Sequence, residues 1–249
     1  MSKVTYCIRA LGLACFFISA ESLAGANPVR QETKATTSAR ACQVSPASAY
    51  VLADSLGMGL KYAGLEVTLR ALLRGPQHIS FDGGRSITTP GTHIQKSALE
   101  SVDTDASLIS AARVIIIVLG TNLLEANFAE SQTTLMQKLK ALAPNAAYFW
   151  VDIGATMSTQ TQQWSDRNRI IYERAQVLGY QVIRRYKAIF GPQADPLHIQ
   201  PGQLFPGYQS EPGYGGEGNI HGYDLALSQA ILDALLINQE HMQGGLICR

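Results

Sequence analysis

The run Val114-Ile115-Ile116-Ile117-Val118-Leu119 restricts the fold more than any other stretch of this chain. It has no polar alternation, so both faces of a strand built from it must be covered. Strands of that kind belong to parallel sheets with helices on each side. The rest of the pattern agrees. Short apolar runs predict strands at Tyr50–Ala53, Gln77–Phe81, Tyr148–Ile153 and Gln181–Arg184. Helical periodicity predicts helices over Gly59–Leu73, Ala98–Ala111 with a break near Asp103, Glu130–Leu142, Trp164–Leu178 and Tyr223–Leu236. In the first of these helices Leu60, Ala63, Val67, Leu69, Leu72 and Leu73 are the apolar positions. Gly179 is placed to end the fourth. This β–α alternation predicts an α/β class, a three-layer α/β/α domain with a central parallel sheet.

The N-terminus reads as a targeting signal. Lys3 and Arg9 precede an apolar stretch, Ala10–Ala20, that is short for a bilayer span. Ser22-Leu23-Ala24 and Ala24-Gly25-Ala26 both offer small-residue cleavage sites. The expected organisation is a signal peptide over 1–26, a polar lead-in over 27–44 and one domain over 45–249, with no membrane-spanning segment after cleavage. The expected location is the periplasm or the exterior. Cys7 and Cys15 leave with the signal, and Cys42 and Cys248 remain, one near each end of the domain. In an oxidising compartment this pair is expected to form a disulfide. Basic and acidic residues balance at 20 and 19 with no basic block, which argues against nucleic acid as a partner.

Four short segments carry the chemistry. Asp54-Ser55-Leu56-Gly57 follows the first predicted strand, Asp82-Gly83-Gly84-Arg85-Ser86 the second, and Gly120-Thr121-Asn122 the third. Asn219-Ile220-His221 precedes the last helix, at the end of a Gly- and Pro-rich loop over 190–222. Carboxyl ends of parallel strands share one edge, where open α/β sheets place their sites. Taken alone, Ser55 would be a helix N-cap, Gly83-Gly84 a turn and Asn122 another cap. Taken together they supply what acyl transfer needs. A serine hydroxyl requires a base, usually histidine, and the oxyanion it creates requires preorganised donors. The Ser55 backbone N–H, a glycine N–H and the Asn122 amide can provide these.

In this order and context, the Ser, Gly, Asn and His blocks resemble the SGNH hydrolase superfamily, also called GDSL esterases and lipases. The resemblance spans about 48–236. It implies a flavodoxin-like α/β/α fold, Ser55 as nucleophile, Gly84 rather than Gly83 as backbone oxyanion donor, Asn122 as side-chain donor and His221 as base. The chain departs from the family pattern at three places. Ala53 stands where the first block has Gly, and Leu123 follows Asn122 where the third has Asp. Gly218 stands three residues before His221, where the last block has Asp. A true Asp-x-x-His occurs upstream as Asp195-Pro196-Leu197-His198. Two assignments of the base follow. His221 is favoured because it runs straight into the terminal helix, with Asp195 or Glu217 able to orient it; His198 with Asp195 is the alternative dyad. The near match of Ala53–Gly57 to the Gly-x-Ser-x-Gly elbow of α/β-hydrolases is set aside, because one strand alone precedes Ser55.

The expected function is an exported serine esterase that forms an acyl-enzyme on a glycan ester or a short-chain lipid or other small ester. The alternatives are an O-acyltransferase on an envelope polysaccharide and a non-catalytic glycan-binding relative. No cofactor is expected, and His78, His93 and His241 show no metal-ligand spacing. Specificity is expected in the loops 85–96, 122–130, 154–163 and 190–220. Phe205, Tyr208, Tyr214 and Trp164 are there to stack on a substrate or to anchor the loops.

Overall fold

The computed structural model describes residues 47–154, 160–199 and 222–238, with Tyr62 and 222–225 as backbone only. The expected signal peptide and lead-in, the Cys42–Cys248 pair, His221, Glu217, Gly218, Phe205, Tyr208 and Tyr214 lie outside the described residues.

Five parallel strands form the sheet: β1 (Ala47–Ala53), β2 (Arg74–Phe81), β3 (Val114–Val118), β4 (Ala147–Val151) and β5 (Gln181–Ile183). Their order is β2-β1-β3-β4-β5. All five residues of β3 are buried. Ile115 and Ile117 join Tyr50, Leu52 and Trp150 on one face, while Val114, Ile116 and Val118 join Val51 and Phe149 on the other. The first face is covered by α3 (Ala98–Thr104), α4 (Ala106–Ser110), α5 (Phe128–Leu142) and α6 (Thr161–Leu178). The second is covered by α1 (Leu56–Tyr62), α2 (Leu65–Leu73) and α8 (Gly222–Ile237). A short α7 (Arg185–Phe190) follows β5. This is the three-layer α/β/α architecture expected from the sequence.

The differences from expectation are local. The helix expected over Gly59–Leu73 is two helices, because Gly64 takes a left-handed backbone (φ 75) between them. The break resets the phase. Helix α2 buries Leu65, Leu69 and Leu73, and Val67 is 74% exposed where one continuous helix would have turned it inward. The next break falls at Asp105, two residues past the expected place, where the carboxylate accepts a hydrogen bond from the Tyr50 hydroxyl at 2.7 Å. Helix α3 opens with a capping box, in which the Ser97 hydroxyl accepts the Glu100 N–H and the Glu100 carboxylate accepts the Ser97 N–H. Helix α7 was not expected. Its Arg185 and Tyr186 are both buried.

The strand order fixes where a site belongs. From β1 the chain crosses to β2 on one side and then returns past β1 to β3 on the other. The two connections leave in opposite directions, and the crevice at the carboxyl ends of β1 and β3 is the topological switch point.

Candidate active site

Ser55 stands at that switch point, one residue beyond Asp54, whose N–H donates to the Val118 carbonyl at 3.1 Å. Ser55 is the first residue to turn away from the sheet, with φ −56 and ψ −24. Its hydroxyl makes no capping hydrogen bond to α1. Asp54 does that work instead. Its Oδ1 accepts the Leu56 N–H at 3.0 Å, and its carbonyl accepts the Gly57 N–H at 3.0 Å. The cap expected of an isolated serine is therefore replaced, and the half-buried Ser55 has a hydroxyl with no hydrogen-bond partner among the described residues. The turn is tight enough to need Gly57, where a Cβ would sit 2.4 Å from Cβ of Phe81 and 2.7 Å from Cβ of Ala53.

The second block is a turn held from beneath. Asp82 is buried, and its carboxylate accepts the backbone N–H groups of His93, Ile94 and Gln95 at 2.9 to 3.0 Å. Gly84 takes φ 73, a left-handed conformation that explains the glycine. Its N–H donates no hydrogen bond among the described residues, as an oxyanion donor requires. Arg85, 1% exposed, ties the blocks together. Its Nη1 donates to the Ala53 carbonyl at 3.3 Å, just ahead of the Ser55 turn, and to the Ser80 hydroxyl at 3.4 Å. Its Nε donates to the Lys96 carbonyl at 3.1 Å. Its own carbonyl accepts the Asn122 side-chain amide at 2.9 Å. That bond uses one of the two amide protons of Asn122, so its orientation is set while a second donor remains.

The third block is held from α6. Arg167, 6% exposed, donates from Nη1 to the carbonyls of Gly120 (2.7 Å) and Asn122 (2.5 Å). Its Nη2 donates to the Glu125 carbonyl at 3.4 Å, and its guanidinium lies 4.9 Å from the centre of the Phe128 ring. Trp164 is buried and donates from Nε1 to the Thr121 carbonyl at 3.0 Å. Of the two readings of Trp164, it anchors a loop. Glu125 closes the frame by accepting the Ile87 N–H and the Thr88 hydroxyl of the second loop, at 3.3 and 3.0 Å. Arg85, Glu125 and Arg167 were not singled out from the sequence. The available signal for the last was a polar residue on the same helix face as Trp164 and Ile171.

Of the two histidine candidates, His198 is among the described residues. Asp195 and His198 form a hydrogen-bonded pair, with His198 Nδ1 and Asp195 Oδ2 2.6 Å apart. The same carboxylate accepts the Leu197 N–H at 2.9 Å through Oδ1. The His198 ring and the Leu197 N–H hold the Asp195 carboxyl below its ordinary range. This segment is pinned to α6: Asn168 donates to the Pro196 carbonyl at 2.9 Å, and the Ser165 hydroxyl accepts the Ile199 N–H at 2.9 Å. Ser165 neighbours Trp164, which holds Thr121, and Asn168 also brackets Ile153 just beyond β4. The Asp195–His198 pair thus belongs to the sheet's carboxyl edge. His221 lies outside the described residues.

Two carboxyls are buried close to this edge. Asp152 accepts the Tyr186 N–H and the Tyr172 hydroxyl, both at 2.9 Å. Burial pushes its carboxyl up to about 6, with the Tyr186 N–H and then Arg185 pulling the other way. Burial raises Asp54 to about 6 as well, against the Leu56 N–H, Arg185 and Thr121. A carboxyl raised in the fold binds its proton more tightly than in the unfolded chain. Its stability contribution is complete below about 3.8 and is lost as pH rises through about 6. The stability of Asp152→Asn relative to the parent should therefore increase between pH 4 and pH 7, by no more than about 3 kcal/mol. Denaturant unfolding at both pH values measures this, and a pH-independent difference would contradict it.

Among the described residues, no group of three or more His, Cys, Asp and Glu side chains is placed to hold a metal ion. No helix among them is long and apolar enough to cross a membrane.

No family model matches the chain. No curated protein sequence matches it either. Solved structures do. An active-site mutant of a family two carbohydrate esterase from Clostridium thermocellum matches with a TM-score of 0.52 at 13% identity, covering 78% of this chain and 65% of that one. The periplasmic domain of a lipopolysaccharide acetyltransferase from Salmonella ser. Paratyphi A has a TM-score of 0.49 at 12% identity, covering 78% and 85%. An extracellular lipase from Streptomyces rimosus has a TM-score of 0.48 at 12% identity, covering 76% and 99%. At these identities the likeness is one of fold.

Proposed function

We propose that this chain, whose fold is that of the SGNH hydrolases, is a serine ester hydrolase working through an acyl-enzyme on Ser55. One observation carries the reading. The Ser55 hydroxyl at the β1/β3 switch point does not cap α1 and has no hydrogen-bond partner among the described residues, in a frame where Arg85 joins its strand to the Asn122 amide. In the proposed reaction the base removes the Ser55 proton as Oγ attacks the ester carbonyl carbon. The carbonyl oxygen becomes an oxyanion facing the N–H groups of Ser55 and Gly84 and the second amide proton of Asn122. The C–O bond then breaks, and the imidazolium returns its proton to the departing alcohol. Water repeats the sequence to release the acid.

For the base we take His198, oriented by Asp195, over His221. The support is the 2.6 Å contact at Nδ1, which would orient the ring and make Nε2 its basic nitrogen. Export through residues 1–26, the Cys42–Cys248 disulfide, and a glycan ester or short-chain ester as substrate complete the proposal. A screen of model esters by acyl chain length, run beside acetylated glycans, would identify the substrate class.

The test of the class is covalent labelling by a serine-directed fluorophosphonate. Stoichiometric labelling at Ser55 supports the hydrolase; a folded protein that resists the probe and cleaves no ester would refute it. The oxyanion assignment has its own measurement. Asn122→Ala should lower kcat about 100- to 1,000-fold with little change in KM, because its amide serves charge that develops after binding. An unchanged kcat would remove Asn122 from the mechanism.

A further inference from the structure

Edge strand β2 breaks the pattern of its sheet. Where β1 turns Tyr50 and Leu52 toward the α3 side, β2 pairs His78 and Ser80 with them in register. A core-facing wall that is apolar in the neighbouring strands is polar here. Between this wall, the loop before α3 and the start of α4 lies a cavity of about 190 Å³, bordered by His78, Ser80, Arg85, Lys96, Ser101 and Asp105. It is smaller than the roughly 300–1,000 Å³ of pockets that enclose a drug-sized ligand, so it suits a single small group.

The charge in this cavity is lopsided. Arg85 is 1% exposed, and its Nε and Nη1 meet carbonyls and a hydroxyl rather than a carboxylate. The ion pairs among the described residues are His78–Asp105, Lys138–Asp103, Arg169–Asp166 and Asp195–His198, and none includes Arg85. Its Nη2 makes no hydrogen bond among the described residues. Asp82, Asp105 and Asp54 act on the Arg85 charge through space, but none of them is in ion-pair contact with it. A buried cation with no carboxylate in contact gains from an anion that reaches its open edge. Lys96 adds a second positive charge at the rim, where Nζ donates to the Thr104 hydroxyl at 2.9 Å. Asp105 is the one carboxylate of the lining: its Oδ2 accepts the Tyr50 hydroxyl at 2.7 Å and lies 3.9 Å from His78 Nε2, and it acts on Arg85 through space without touching it.

We propose that this cavity is an anion subsite that takes a small carboxylate or oxyanion group, bound by the free edge of the Arg85 guanidinium and by the Lys96 ammonium. The subsite adjoins the reaction centre through one residue, since the Arg85 carbonyl positions the Asn122 amide. The anion is either a charged group carried by the substrate, which rests on the esterase reading, or a free small ion, which does not.

The probe is inorganic sulfate, titrated at constant ionic strength and followed by calorimetry and by the midpoint of thermal unfolding. Saturable binding is expected, weakened at least about tenfold in Lys96→Met and restored in Lys96→Arg. The Lys96 side chain is not in the core, so these variants should fold; His78→Gln is a second probe from the opposite wall, expected to bind sulfate more weakly. An absence of saturable sulfate binding, or an equal affinity in Lys96→Met, overturns the subsite. Paired esters that differ only by a free carboxylate then distinguish the source. A roughly tenfold rise in KM of Lys96→Met for the carboxylated ester alone identifies a substrate group. Unchanged KM for both, with sulfate binding still lost, identifies a free anion. The sulfate titration needs no turnover, so failure of the esterase reading and failure of the subsite give different results.

Discussion

Ser55→Ala should lose ester hydrolysis by at least about 10,000-fold while the protein keeps its fold. The size follows from the step removed. Without Oγ no acyl-enzyme forms, and what remains is the help that the oxyanion donors give to direct attack by water. The fold should survive because the Ser55 hydroxyl caps nothing. The turn is held by the Asp54 carboxylate on the Leu56 N–H and by the Asp54 N–H on Val118, and neither involves the Ser55 side chain. Unfolding free energies of parent and variant should agree within about 0.5 kcal/mol, the usual range for a substitution that breaks no contact. Full hydrolysis by a folded Ser55→Ala protein would end the proposed mechanism.

The second large effect concerns the base. His198→Ala should cost several orders of magnitude in kcat, and His221→Ala much less. Asp195→Asn should follow His198→Ala in direction with a smaller loss, because it removes the carboxylate that orients the ring while leaving the ring in place. Stability should change little in His198→Ala and Asp195→Asn, since the His198 and Asp195 side chains are 73% and 53% exposed and their pairing is screened by water. The reverse result, a near-normal His198→Ala and an inert His221→Ala, would transfer the role to the histidine beside the last helix. Loss in both variants would be resolved by the double substitution. If one histidine acts through the other, the double variant is scarcely worse than either single one.

Parts of this arrangement were legible because they depend on neighbours in sequence. The run at 114–119 has no polar residue to offer to water, so β3 had to be central and covered on both sides. The helix expected from Ala98 does begin there, because apolar periodicity is a local property of the chain. Gly179 ends α6 as expected, at φ 64. The three blocks after β1, β2 and β3 were readable because parallel strands bring their carboxyl ends to one edge, whatever the loops do.

Other parts depended on distance in space. One helix or two over 56–73 turned on whether Gly64 would take its left-handed conformation, and the periodicity of the leucines fits both until the sheet chooses which of them to bury. Asp54 rather than Ser55 caps α1, a choice between adjacent polar residues that the turn geometry makes. Arg85, Glu125 and Arg167 are charged side chains that a sequence assigns by default to the surface. They are buried here because main-chain carbonyls and an N–H from segments 30 to 50 positions away meet them there. The sequence alone determined the layers, the central strand and the edge on which Ser55, Gly84 and Asn122 would gather. Only the tertiary structure decided that Asp54 and not Ser55 caps α1, which residues knit the three blocks together and that Asp195 is paired with His198, because each is a hydrogen bond between groups that come into reach only once the sheet has formed.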